Sequence, residues 1–582
     1  MPNDPSNPLI IQGDRSILLD VHTARAEEAR SALIPFAELE KSPEHLHTYR
    51  ITPLSLWNAS SAGFIPSQIT ETLNGLSRFP LPSSVNTWII ETMGRFGKIR
   101  MIPDNDDFLF LLTDSKMIFR ELSASKIMAK YLVPEEGDDL RFRLGLLNRG
   151  TVKQELLKLG WPVKDEAPLR DGDPFEINLL PNSRTGAPLV IRDYQIKAAS
   201  ALVGDRGPGT GFGTIVLPCG AGKTIVGMQV MSMLKTNTLI LTTNVAAVHQ
   251  WINELIDKTD VNPDDIGEYT GDCKKVKPIT VATYQILTWR STKDGVFPHF
   301  TLFRERAWGL IIYDEVHLLP APVFRVTAEL QTIRRLGLTA TLVREDGCEG
   351  DVFSLVGPKR YDIPWKDLEG QGWIATAICT EIRVEIASDR EIEYAVANQR
   401  QKYRIASENP AKIEVINCLL EKHKDDSVLV IGQYIDQLEE IAAHINAPII
   451  TGKTSNPERD RIYGAFRSGE LKTIVVSKVA NFAIDLPDAS VAIQISGTFG
   501  SRQEEAQRLG RILRPKEKNS HFYTIVTSQT VEEEFAANRQ KFLAEQGYEY
   551  IIIRWEENSG LLMSSGAIGS DASACGTGSV II

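Results

Sequence analysis

A chain of 582 residues exceeds what one hydrophobic core supports, since cores stop growing near ~250–300 residues, so several domains are expected. The formal net charge of −11 excludes nucleic-acid binding through bulk positive charge; any such binding must use a local groove. No apolar run nears the ~18 residues that span a bilayer, and the start, MPNDPSNPLIIQGD, has no basic segment and no apolar signal core, so the chain reads as intracellular.

Residues up to about Glu176 mix short helical and strand-like segments, such as Ser83 to Met101 and Phe108 to Leu112, and show no phosphate loop and no catalytic cluster. A polar, Pro/Gly-rich stretch, DEAPLRDGDPFEINLLPNSRTGAPL, then reads as a linker. Beyond it the pattern changes. Thr214 to Leu217, Thr238 to Leu241, Thr280 to Ala282, Leu310 to Tyr313 and Leu336 to Leu338 are short apolar runs, several separated by helical patterns. Such runs are expected of parallel strands buried on both faces by crossover helices. The pattern recurs at Ser427 to Ile431, Pro448 to Ile450, Thr473 to Val476, Val491 to Ile495 and Phe522 to Val526. Two α/β lobes follow, at about 185–365 and 408–547, separated by a polar helical stretch, SDREIEYAVANQRQKYRIASENP. The end of the chain, rich in Gly, Ser and Ala from Ser559, reads as a flexible tail over 548–582 with no assigned function.

The strongest chemical signal is LPCGAGKT, Leu217 to Thr224. It follows the apolar strand TIVL and precedes the helical run TIVGMQVMSMLK, the context a phosphate loop requires. Gly220, Ala221 and Gly222 let backbone N–H groups close around phosphate oxygens at a helix N-terminus. Lys223 would reach the β- and γ-phosphates of ATP, and the Thr224 hydroxyl would hold Mg²⁺. Leu217 stands where the strict GxxxxGK[ST] pattern has its first Gly.

The run WGLIIYDEVH ends a strand on Asp314-Glu315. A carboxylate there, facing the phosphate loop, can hold Mg²⁺ through water, and its neighbour can polarise the attacking water. Asp314 takes the first role and Glu315 the second. Further on, the helix SRQEEAQRLGRILRP carries Gln507, Arg508, Arg511 and Arg514, with its arginines spaced by three on one face.

Taken together these motifs resemble superfamily-two helicases, which tolerate the Leu217 departure. The resemblance implies two RecA-like lobes, preceded here by a smaller α+β region. It places Gln507, Arg511 and Arg514 across an inter-lobe cleft, where arginines stabilise charge developing on the γ-phosphate. IRDYQ resembles the adenine-reading Q motif, with Gln195 as reader and Arg192 beside it; Thr339 and Thr341 of LTAT resemble the motif coupling hydrolysis to DNA. LVIGQY, with Gln433, and VVSKVANFAIDLP, with Lys478, resemble the second-lobe motifs that contact DNA backbone and cleft.

The narrower resemblance is to XPB-type helicases of repair and transcription. LVRED places Arg344, Glu345 and Asp346 at that group's Arg-Glu-Asp motif, and LHTYRITPLSLWNASSAGF resembles the domain preceding its motor. The resemblance divides the chain into an N-terminal α+β domain over 1–125, a damage-recognition-like segment and linker over 126–184, lobe 1 over 185–365, a connector with a thumb-like insertion over 366–407, and lobe 2 over 408–547. Ala480 and Asn481, where eukaryotic members tend to have Gly and Asp, and the lack of a long eukaryotic extension point to the bacterial branch and a cytoplasmic, nucleoid-associated protein. It implies ATP and Mg²⁺ as cofactors, duplex and single-stranded DNA as partners beside unidentified repair or transcription proteins, and three-prime to five-prime movement. An RNA helicase, or an ATP-gated DNA-remodelling switch that separates no strands, are the rival readings.

The six cysteines form no CxxC pair, which speaks against a zinc ribbon or a closely ligated iron–sulfur cluster. The nine histidines show no metal-ligand spacing, and His317 of DEVH is expected to link to the next motif. Trp251 and Trp289 are expected to pack rather than to stack on bases. Arg400, Lys402 and Arg404 fit phosphate contacts and a solvated helix equally well.

Overall fold

The computed structural model describes residues 4–41, 46–105, 107–207, 210–218, 220–291, 297–319, 323, 330, 332–340, 349–363, 365–373, 375–477, 489–497, 520–545, 550–556 and 561–564. The chain divides into two compact units, Met1–Leu217 with Gly222–Ile363, and Pro364–Ile582, with which Pro218–Ala221 group.

The first unit opens with an antiparallel sheet of β1 (Leu9–Ile11), β2 (Ser16–Asp20), β3 (Glu38–Lys41) and β4 (Leu46–Arg50) in the order β1-β2-β4-β3. A second sheet holds β5 (Ile99–Pro103), β6 (Phe108–Thr113), β7 (Val133–Pro134), β8 (Arg141–Gly145) and β9 (Val163–Asp165) in the order β7-β8-β6-β5-β9. Strict alternation along β6 and β8 buries Leu109, Leu111, Phe142 and Leu144 on one face. Under that face lie Ile118 and Leu122 from one side of residue 125 and Met128, Val152 and Leu156 from the other. The expected boundary at 125/126 therefore runs through a single sheet and a single core, because period-2 strands from both segments need each other to bury that face.

Five fully buried strands form the centre of the first lobe: β10 (Phe212–Val216), β11 (Thr238–Thr242), β13 (Ile279–Thr283), β14 (Leu310–Asp314) and β15 (Arg334–Thr339), with only Asp314 reaching partly into solvent. With β12 (Ile266–Tyr269) and β16 (Lys359–Asp362) they make a seven-stranded parallel sheet, ordered β12-β13-β11-β14-β15-β10-β16. β15 lies between β10 and β14, in register Val216↔Thr339 and Asp314↔Leu338. The strand ends carrying the phosphate loop, LTAT and the acid pair are thus neighbours at one edge. The stretch read as a linker is strapped to this lobe. Arg170 N donates to Thr332 O at 2.6 Å, Phe175 N to Lys235 O at 3.0 Å and Leu180 N to Lys258 O at 2.9 Å. Backbone with few apolar side chains is held here by its own hydrogen-bonding groups.

The second unit contains an eight-stranded sheet. Its strands are β17 (Ala377–Val384), β18 (Val428–Gly432), β19 (Ile449–Ile450), β20 (Thr473–Ser477), β21 (Val491–Gln494), β22 (Ser520–Thr527), β23 (Tyr550–Glu556) and β24 (Leu561–Ser564). The order is β19-β20-β18-β21-β22-β17-β23-β24, parallel throughout except for the antiparallel pair β23–β24. This corrects two sequence expectations. β17, assigned to the connector over 366–407, is an interior strand between β22 and β23. Residues 550–556 and 561–564, assigned to the tail, pair in the same sheet, since Tyr550, Ile551, Ile552 and Ile553 extend the ladder of β17. The helix Gln399–Ser407 packs on this lobe, with Tyr403 buried and Arg404 paired to Glu408 at 3.0 Å and Asp436 at 2.9 Å. Arg404 thus has anionic partners within its own lobe.

Candidate active site

The phosphate loop's geometry comes from its glycines. Gly220 and Gly222 take φ +80° and +77°, left-handed values that L side chains rarely adopt. A Cβ on Gly222 would also come within 2.5 Å of Gln195 Nε2. The helix Lys223–Leu234 starts immediately afterwards, so Lys223 and Thr224 occupy its first turn, where the helix dipole favours an anion.

Gln195 is buried in the helix Asp193–Val203, and its Oε1 accepts from Arg192 N at 2.9 Å, which fixes the amide beside Gly222. Arg192 Nη1 donates to Tyr194 Oη at 3.0 Å.

Facing the loop, β14 ends on Asp314-Glu315. Lys223 Nζ lies 3.2 Å from Glu315 Oε1. Glu315 has φ +50° and ψ +54°, a strained backbone for a residue with a Cβ, of the kind that clusters at functional sites. Burial raises the Asp314 carboxyl above the usual carboxylate range, and the Glu315 charge pushes the same way, against the pull of Trp251 and Lys223. Two neighbours escaped the sequence reading. Trp251 Nε1 donates to Asp314 Oδ2 at 2.9 Å, and Tyr284 Oη to Asp314 O at 2.9 Å. Trp251 does pack, as expected, but it also has this polar partner. The one trace in the sequence is Gly227, an interior helix glycine that signals close approach without naming the partner. His317 Nδ1 sits 2.7 Å from Thr339 Oγ1, both buried, so the acid-pair turn and LTAT are joined by a direct hydrogen bond.

Gln433 follows β18 in the second unit, its N donating to Ser496 Oγ at 2.8 Å. Thr341, Arg344, Glu345, Asp346, Lys478, Gln507, Arg508, Arg511 and Arg514 lie outside the described residues. Trp289 is 53% exposed and stands 5.9 Å from the His299 ring, so the packing expected of it is partial.

Two parallel α/β lobes, one presenting a phosphate loop beside a strand-end acid pair, define a two-lobed motor of the helicase class. Family models agree: "Type III restriction enzyme, res subunit" matches residues 188–344, and "ERCC3/RAD25/XPB C-terminal helicase" matches 368–564. A model described as "Helicase conserved C-terminal domain" matches residues 9–136, in the N-terminal region. The DNA 3'-5' helicase XPB of Kineococcus radiotolerans is 49% identical, over 95% of this chain and 97% of that protein. Its namesake from Mycobacterium tuberculosis is 51% identical, over 94% and 97%. The general transcription and DNA repair factor IIH helicase/translocase subunit XPB of Enterocytozoon bieneusi is 34% identical, over 94% and 93%. The chain belongs to the XPB family of DNA helicases.

Proposed function

We propose that the chain is an ATP-driven DNA helicase or translocase that moves three-prime to five-prime and opens DNA for repair or transcription. The observation that carries this reading is the juxtaposition of Lys223 with Glu315, next to Asp314, across the ends of β10 and β14 with β15 between them, in a chain of the XPB family.

The residues suit a magnesium nucleotide. Gly220 and Gly222 open the loop backbone to phosphate oxygens, Lys223 supplies the cation and Gln195 an amide for the adenine edge. Among the described residues no cluster of three or more His, Cys, Asp or Glu could hold a metal alone. A Mg²⁺ here would share Thr224, Asp314 and phosphate oxygens, as is usual for an ion that keeps several waters. Mg²⁺ would neutralise charge developing between the phosphates. The protein's part is positional. Glu315, now paired to Lys223, would be released when Lys223 turns to phosphate, and would then accept a proton from the attacking water. Gln507, Arg511 and Arg514 would complete the site from the second lobe. The His317–Thr339 hydrogen bond offers a route from hydrolysis to LTAT, with Thr341, Arg344, Glu345, Asp346, Gln433 and Lys478 on the DNA side.

The test is steady-state ATP hydrolysis with no nucleic acid, with DNA and with RNA, beside strand displacement on a three-prime-tailed duplex. Turnover should rise with DNA, rise less with RNA, and lose its DNA stimulation as salt increases. Turnover indifferent to DNA at low salt would overturn the motor reading. Stimulation without displacement would identify a translocase or remodelling switch.

A further inference from the structure

The helix Val245–Lys258 follows β11, is N-capped by Asn244 Oδ1 accepting from Ala247 N at 2.9 Å, and buries Val248, Trp251 and Leu255. Trp251 lies against the helix that follows the phosphate loop: a Cβ at Gly227 would meet its ring at 2.6 Å and Ile312 at 3.6 Å. A glycine inside a helix costs about 1 kcal/mol relative to alanine. Here that vacancy admits an indole between the helix and β14.

From that seat the indole N–H reaches Asp314 Oδ2 at 2.9 Å, while the Glu315 backbone N–H donates to Oδ1 at 3.1 Å. Tyr284 Oη, from the helix Tyr284–Thr288 after β13, holds the Asp314 carbonyl at 2.9 Å. Each oxygen of the carboxylate has an N–H donor, and its own backbone is tied.

We propose that Trp251 is a positioning residue for ATP hydrolysis: its indole N–H fixes the orientation in which Asp314 receives a Mg²⁺-bound water. The inference rests on Asp314 being the metal-side carboxylate. The choice of donor has a chemical logic. An indole donates one hydrogen bond, accepts none and carries no charge. A lysine or arginine in its place would orient Asp314 equally well but would neutralise the charge that attracts the metal. Outer groups that orient a metal-binding carboxylate typically contribute 10–100-fold in metal affinity or activity. The packing against Gly227 also ties the orientation of Asp314 to the helix bearing Lys223 and Thr224, so one indole sets both sides of the site in register.

The experiment uses the full chain and two variants at this position. Trp251→Phe keeps most of the ring and removes the donor. Incorporation of 3-benzothienylalanine at 251 keeps the indole shape and replaces N–H by sulfur, so it carries the test if the phenylalanine variant does not fold. Three readouts are taken: turnover against Mg²⁺ concentration, binding of a fluorescent ATP analogue without metal, and Mn²⁺ binding in the presence of ADP by paramagnetic resonance. The expected result is a fall in turnover and in Mn²⁺ affinity of about 10-fold or more, a matching rise in the Mg²⁺ requirement, and unchanged metal-free nucleotide binding. Wild-type Mg²⁺ and Mn²⁺ dependence would overturn the proposal. So would a loss of thermal stability and of all binding together with an unshifted metal requirement, the mark of packing alone. Asp314→Asn, run in parallel, tests the underlying reading. If it keeps full turnover, the assignment of Asp314 fails whatever the Trp251 variants do.

Discussion

Asp165 and Asp314 belong to the same unit, each closes a strand, and their electrostatic surroundings are opposite. Asp165, at the end of β9, is shut away from solvent. Arg149 Nη2 and Nε donate to it at 2.8 and 3.0 Å and Lys153 Nζ at 2.9 Å. Burial alone would push its carboxyl up, but the two cations outweigh burial and hold it well below the usual carboxylate range. Asp314, at the end of β14, has an indole and a backbone N–H as its hydrogen-bond donors, neither of them charged, and burial leaves its carboxyl raised. A structural carboxylate brings its counter-charge with it from the same fold. In the proposed role of Asp314, neutral donors hold the carboxylate in place and leave its charge for Mg²⁺.

That contrast can be broken most severely on the Asp314 side. Lys223→Ala and Glu315→Gln should each cut ATP turnover by on the order of a thousandfold, about 4 kcal/mol of barrier, while the melting temperature stays close to wild type. Lys223→Ala should also weaken nucleotide binding, and Glu315→Gln should not. Normal turnover in either would remove the nucleotide site.

The reciprocal cut falls on the other carboxylate. Asp165→Ala leaves Arg149 and Lys153 buried around a lost anion and should cost about 3 kcal/mol or more in chemical denaturation of the first unit. Turnover per folded molecule should be unchanged. Equal loss of stability and activity would mean the two centres are not separate. Lys153 is already strained in its charged form: burial brings it down to about 8, helped by Arg335 and Arg149 and opposed by Asp165.

The smallest effect is a pH dependence. The Asp165 carboxyl is harder to protonate folded than unfolded, so its stabilising contribution is complete above its unfolded value of about 3.9 and is lost as the pH falls below it. Asp165→Asn should flatten that acid limb of a stability–pH curve. An unchanged limb would show that other carboxylates dominate acid unfolding.

What could be read along the chain was whatever a few consecutive residues express by themselves. The apolar runs of both lobes give strands because a parallel strand covered on two faces must be apolar throughout, and LPCGAGKT and DEVH carry their chemistry in adjacent residues. The places where reading failed are those where distant segments complete one another. β9 ends at the start of the stretch that looked like a linker, within the segment 126–184, and β17 lies in what looked like a connector. β23 lay in what looked like a tail, although YIIIRW is apolar enough to have raised the question.

Residue types and short-range order therefore determined, from the sequence alone, the two-lobed class, the phosphate loop and the acid pair. Tertiary structure alone decided that β15 would lie between β10 and β14, bringing Lys223 within 3.2 Å of Glu315 although Asp314 stands 91 positions after Lys223 in the chain. It alone turned Trp251, a residue with every mark of packing, into a hydrogen-bond donor to Asp314. The reason is that a side chain's type fixes what it can donate or accept, whereas its partner is fixed by strand order and helix packing, which arise from the burial of the whole sheet and are written in no single stretch of chain.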